Sequence, residues 1–285
     1  MLFLFEYKQS GLKLFNAFSH VISSILKQME LNYKKYGETG PNLVILHGLF
    51  GMLDNWHSLA VRFGNDFQTW TTDQRNHGKS PHSEYIDYNI LAADLLDFCD
   101  QHQIKQPIVL GHSMGGKAAM QFAMNYPDVI SKLIVVDIAP KKYPEDGHDV
   151  YIDALEELDL TKIKSRKDAD EALKPKIPQE YIRQFLLKNL SREGDRYILK
   201  MDLDSLSKNY SKLTANIEAK GKFEKDTLFI NGEKSNYILD SDKPGILDLF
   251  PKVQFVTIPG VGHWVHAEAP DLFYEAVMKF LNLEI

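Results

Sequence analysis

Pro107-Ile108-Val109-Leu110-Gly111-His112-Ser113-Met114-Gly115-Gly116-Lys117 is the stretch from which the rest of this chain is read. It opens as a short apolar run and, past Gly115, carries apolar residues at helical spacing as far as Tyr126. Between the two stands Gly-x-Ser-x-Gly. The pentapeptide alone is unspecific, because glycine and serine are common. Its setting is specific: strand, sharp turn and helix hold a serine on a strained elbow with its hydroxyl exposed. Side chains at 111 and 115 would collide with the neighbouring strand and helix, hence the glycines. The helix start adds free N–H groups and partial positive charge beside the hydroxyl. Ser113 is the candidate nucleophile.

Outward from this elbow, short apolar runs alternate with helical patterns. The expected strands are Asn42 to Leu46, Phe67 to Thr72, Pro107 to Leu110, Lys132 to Val136, Thr227 to Ile230 and Val253 to Ile258, with a strand-like start at Glu30 to Tyr33. Helices are expected over Asn89 to His102, Gly115 to Tyr126 and Asp271 to Leu281, the last after Pro270. This alternation predicts an α/β fold, a mostly parallel central sheet flanked by helices. Between about Lys141 and Lys220 it breaks. The chain there reads as helical, charged with both signs and without strand-like runs, Tyr151 to Leu158 and Tyr181 to Leu190 being the clearest amphipathic stretches. Residues 29–140 and 221–285 are thus expected to form the core and 141–220 an inserted helical cap.

A serine nucleophile needs two oxyanion donors, a base and an acid. One donor is the N–H of Met114. The second is assigned to Leu49, with Phe50 next in line, in His47-Gly48-Leu49-Phe50-Gly51 after the strand ending at Leu46. The base is His263, in the glycine-bearing loop Pro259-Gly260-Val261-Gly262-His263-Trp264; His266 is the poorer choice. The acid is less plainly marked. In the commonest arrangement it would follow Leu228-Phe229-Ile230, but Ser235 and Asn236 stand there, and neither holds a negative charge. Asp137, after Ile134-Val135-Val136, keeps the order Ser, Asp, His and is the acid assigned, with Glu233 and Asp240 as alternatives. Phe50, His112 and Trp264 are expected around the substrate. Asp73-Gln74-Arg75-Asn76-His77-Gly78-Lys79-Ser80 reads as a scaffold loop near the site, held by internal hydrogen bonds.

The bulk composition narrows the partners. A 285-residue chain with 44% hydrophobic and 25% charged residues can bury one large catalytic core. Its net charge of -6 leaves no basic footprint for nucleic acid. The single cysteine, Cys99, sits in an apolar helical pattern and reads as a buried core residue; with no internal disulfide to form, a reducing, cytoplasmic setting is expected. No run reaches the roughly 20 apolar residues of a membrane span. Residues 1–28 are apolar in two stretches interrupted by Glu6, Lys8, Lys13 and His20. They read as an accessory amphipathic segment or a translation extension before Met29, with a membrane-surface role as the alternative.

Taken together, His47-Gly48-Leu49-Phe50-Gly51, Asp73-x-Arg75-Asn76-His77-Gly78-x-Ser80, the Ser113 elbow, Asp137-Ile138-Ala139-Pro140 and Gly262-His263-Trp264-Val265-His266-Ala267-Glu268 resemble the YbfF-type esterases. These are α/β-hydrolases similar to the mammalian abhydrolase-domain 11 proteins. The resemblance runs from about residue 30 to the C-terminus and implies a capped α/β-hydrolase fold that cleaves esters, acyl-CoA thioesters included, without a cofactor or metal. It also implies the acid at Asp137. The loop at 231–236 departs from the group's usual double glycine but keeps Ser235. The expected partner is a small acyl ester or thioester, cleaved through an acyl-enzyme. The rival readings are C–C bond hydrolysis or perhydrolysis on the same triad, and a non-catalytic binding module.

Overall fold

The computed structural model describes residues 29–145 and 149–281. The expectation for residues 1–28 lies outside the described residues. Seven strands form one sheet: β1 (Tyr33–Tyr36), β2 (Asn42–Leu46), β3 (Gln68–Thr72), β4 (Ile108–His112), β5 (Lys132–Val136), β8 (Thr227–Gly232) and β9 (Val253–Ile258); β6 and β7 belong to the insertion described below. Their order is β1-β3-β2-β4-β5-β8-β9, and every pairing is parallel except that of β1 with β3.

The central strands are apolar along their whole length because both faces are covered. Their period of two divides the side chains between two cores. Val44, Leu46, Val109, Leu133, Val135 and Phe229 enter one cluster. Leu43, Ile45, Leu110, Ile134, Leu228 and Ile230 enter the other. The edge strand β1 lies three residues beyond its expected start, where Lys34 and Lys35 point to solvent. Charged side chains on an edge discourage pairing with further strands.

The insertion between β5 and β8 corrects one expectation. It contains helices at Asp149–Glu156, Arg166–Leu173, Glu180–Leu187, Leu203–Lys208 and Tyr210–Thr214, but also a hairpin, β6 (Leu190–Glu193) and β7 (Arg196–Leu199). The helix expected to reach Leu190 stops at Leu187, ahead of this hairpin. Pairing of Glu193 with Arg196 leaves the two-residue loop Gly194-Asp195, with Gly194 at φ 61°. A glycine in the first position of such a loop is the hairpin signal. Of the flanking residues only Leu190 is buried, so no apolar alternation marked them as strands.

Backbone contacts fasten the insertion over the sheet. Asp202 N–H donates to the Asn76 carbonyl at 2.9 Å. Asn209 Nδ2 donates to the Glu84 carbonyl at 2.9 Å, and Tyr88 Oη to that of Leu213. Among the described residues, no helix is long and apolar enough to cross a membrane.

Candidate active site

All the candidate residues leave the sheet at its carboxyl end, where open α/β sheets place their ligands. Ser113 follows β4, at φ 54° and ψ −119°, and caps the helix Met114–Asn125. Positive φ in a non-glycine residue is strained and persists where the surroundings impose it. Here a Cβ at 111 would meet the Gly115 carbonyl at 2.1 Å, and one at 115 would meet those of Leu46 and His47 at 2.5 Å. Helix and strands approach too closely for any residue but glycine. Ser113 N–H donates to the Val136 carbonyl at 3.0 Å, prolonging the sheet by one residue.

Asp137 follows β5, also strained at φ 52°, fully buried, with its N–H on the Ile230 carbonyl at 2.8 Å. Its Oδ2 accepts from His263 Nδ1 at 2.7 Å and from the Ser235 hydroxyl; its Oδ1 accepts from Gly232 N–H at 3.2 Å. Burial pushes this carboxyl up to about 7, while the Ser235 and Gly232 donors pull it down. With the imidazole as a third donor, the pocket is arranged to receive a carboxylate, since three donors face two acceptor oxygens. The alternative acids are engaged elsewhere: Glu233 accepts from Gly260 N–H at 2.8 Å, and Asp240 pairs with exposed Lys243 at 2.7 Å.

The His263 ring is held on two sides. Tyr237 stacks on it at 3.8 Å and 18° between planes. His112 donates from Nε2 to the His263 carbonyl at 2.9 Å. His112 therefore lines the cleft with its ring while anchoring the loop that carries His263. Burial holds His112 and His266 well below the ordinary histidine range, so both are neutral. His266 stacks on Trp56 at 4.1 Å and belongs to the framework.

Ser113, Leu49, Phe50, His112, His263 and Trp264 line one cleft. Phe50 N–H is directed to His77 Nε2 at 3.3 Å, while Leu49 lines the cleft beside Ser113. The loop after β3 supports that geometry. His47 Nε2 accepts from Gln74 N–H at 3.0 Å, and its Nδ1 donates to the Gly48 carbonyl at 2.8 Å. Desolvation lowers His47 to about 4 and His77 to about 3, fixing both as neutral rings with one donor and one acceptor nitrogen. Asp73 accepts from Leu53 N–H, Asn32 Nδ2 and Lys79 N–H at 2.7–2.9 Å. Arg75 forms a buried bidentate pair with Asp94 at 2.5 Å. Cys99 is buried, its thiol pushed up to about 12.

Sequence reasoning missed Tyr237, Asn189 and Lys117. Asn189, in the insertion, donates to the Phe50 carbonyl at 2.7 Å. Chain crossings bring Tyr237 and Asn189 to the site, whereas Lys117 lies on the elbow helix and only its partners Thr214 and Ala215 come from afar.

A family model described as alpha/beta hydrolase fold matches residues 41–270. The chain belongs to this family. A Danio rerio protein named sn-1-specific diacylglycerol lipase ABHD11 is 37% identical over 255 residues, covering 86% of this chain and 80% of that one. Esterase YbfF of Escherichia coli (strain K12) is 35% identical over 242 residues, covering 84% and 92%. Among solved structures, a marine microorganism esterase superposes with a TM-score of 0.87 at 41% identity, covering 88% of this α/β-hydrolase and 99% of its own chain. The expected family and its carboxylesterase-type class are those of these relatives.

Proposed function

We propose that this α/β-hydrolase is a serine hydrolase that cleaves carboxylic esters or thioesters of short to medium acyl groups, acyl-CoA among the candidates, through an acyl-enzyme. The observation that carries the reading is the 2.7 Å bond from His263 Nδ1 to Asp137, beside a serine on a strained elbow that shares the same cleft. Asp137 fixes the imidazole tautomer that leaves Nε2 unprotonated. Nε2 takes the Ser113 proton as Oγ attacks the carbonyl, and the developing cation is stabilised by the buried carboxylate. Met114 and Leu49 N–H groups hold the oxyanion. His263 then protonates the leaving alcohol or thiol, and water repeats the sequence to release the acid.

Two spaces flank the cleft that holds Ser113 and His263. A cavity of about 210 Å³ touches Ser113, Met114 and Leu49 and suits the acyl group. A larger groove of about 710 Å³ runs past His263, Trp264 and Phe185 and suits the leaving group, which His263 must protonate. A cytoplasmic setting accords with this reading, since Cys99 has no partner cysteine.

Replacing Ser113 by alanine tests it. Turnover of p-nitrophenyl butyrate should fall on the order of 10,000-fold or more, and labelling by a fluorophosphonate probe should vanish. Hydrolysis at the parent rate would refute the assignment.

A further inference from the structure

One buried charge has no part in this chemistry. Lys117 lies four residues after Ser113, on the same face of its helix, and is 1% exposed. Its neighbours Met114, Ala118, Ala119 and Met120 are ordinary core residues. Lys117 Nζ donates to the carbonyls of Thr214 at 3.1 Å and Ala215 at 2.5 Å and lies over the rings of Tyr143 and Tyr88. Among the described residues no carboxylate pairs with it. The nearby Lys141 adds repulsion and has a carboxylate of its own, Asp242 at 2.5 Å. A buried ammonium without an anion is costly and seldom kept by packing alone.

Lys117 also lines the 210 Å³ cavity that opens on Ser113. The wall is unusual for an alkyl chain, with Tyr88 and Tyr143 beside the ammonium and Tyr210 and Tyr237 elsewhere in the lining. Two of the three Nζ protons are engaged by carbonyls. For the third, no acceptor lies within hydrogen-bond distance among the described residues.

We infer that Lys117 selects acyl groups bearing a carboxylate at the end remote from the ester, so that the preferred substrates are monoesters or thioesters of short dicarboxylic acids. The inference rests on the esterase reading above. A cavity of about 150 Å³ accommodates benzene, so this one takes an acyl group of about six to eight heavy atoms, the size of glutaryl. The reaction is unchanged. The Ser113 Oγ–acyl bond forms as the acyl–alcohol bond breaks, water then displaces Ser113, and the dicarboxylate and the alcohol leave. Burial lowers Lys117 to about 7, and an incoming carboxylate would restore its charge.

The full chain is assayed with monomethyl glutarate and with methyl valerate, following acid release in a pH-stat. The parent should favour the glutarate monoester in kcat/KM by about 10- to 100-fold, the contribution of a buried charge-assisted hydrogen bond. In Lys117→Met that ratio should fall to about one. Independently of any variant, free glutarate should inhibit p-nitrophenyl acetate hydrolysis by the parent at least about tenfold more strongly than valerate. A parent that prefers methyl valerate, or a ratio unchanged in Lys117→Met, overturns the inference and leaves the esterase reading standing. If neither ester nor p-nitrophenyl acetate is cleaved and no fluorophosphonate label is taken up, the esterase reading itself fails.

Discussion

Asn189, from the segment inserted between β5 and β8, donates its side-chain N–H to the backbone carbonyl of Phe50 at 2.7 Å. Phe50 sits at φ 61° in the loop after β2 that carries Leu49. A fully buried amide from the insertion thus holds a strained turn that lines the same cleft as Ser113. The same amide caps the helix Glu180–Leu187 by donating to the Leu186 carbonyl at 3.2 Å.

Removing this amide should disturb turnover before binding. Asn189→Ala should lower kcat about tenfold or more with KM little changed, and cost about 1–3 kcal/mol of stability, the range for a lost buried hydrogen bond. Steady-state kinetics with p-nitrophenyl butyrate and urea unfolding measure both; equal loss in kcat and KM would place the effect elsewhere.

Asp137→Asn keeps the shape of the pocket and removes its charge. In serine proteases the corresponding change lowers kcat by about 10,000-fold, through the wrong imidazole tautomer. The same order is expected here, with circular dichroism unchanged. Activity within about tenfold of the parent would show that Asp137 does not orient His263.

Stability should fall as the solution is acidified from about pH 6.5. The folded-state values of His47 and His77 are depressed to about 4 and 3 by burial. The unfolded chain therefore binds more protons throughout that window. The contribution of each ring is complete above its unfolded value and is lost as pH falls toward the folded one. The slope is up to about 1.4 kcal/mol per pH unit for each ring. Urea midpoints at successive pH values check this. His77→Gln, which keeps an acceptor for Phe50 N–H, should give a shallower decline.

Arg75 and Asp94 form a bidentate pair with side chains 6% and 7% exposed. Truncating one partner strands the other charge, so Asp94→Ala should cost about 3–5 kcal/mol. For a chain of this size that is a drop in Tm of about 6–20 °C. A melting temperature within about two degrees of the parent would mean that Arg75 finds water or another acceptor.

Local chemistry explains why much of this molecule was legible. The elbow follows from Gly111, Ser113 and Gly115, because no other residue fits where helix and strands touch. The central strands follow from unbroken apolar runs, because a parallel sheet is buried on both faces. Asp137 and His263 follow from their places after strands, which project side chains at the carboxyl edge. The hairpin at 190–199 escaped because only Leu190 of its strands is buried and its one local sign is Gly194-Asp195.

What the chain order could not express is distance across it. Ser235 on Asp137, Asn189 on Phe50 and Lys117 beneath the carbonyls of Thr214 and Ala215 join segments about a hundred residues apart or more, and Tyr237 reaches His263 from the preceding loop. The sequence by itself determined the sheet and marked the candidate nucleophile and its two proposed polar partners, because periodicity and turn chemistry are properties of neighbours. Which groups fasten the imidazole, and which wall the cavity beside the serine, was decided only when the insertion packed over the sheet, since burial and hydrogen-bond direction exist only in the folded chain.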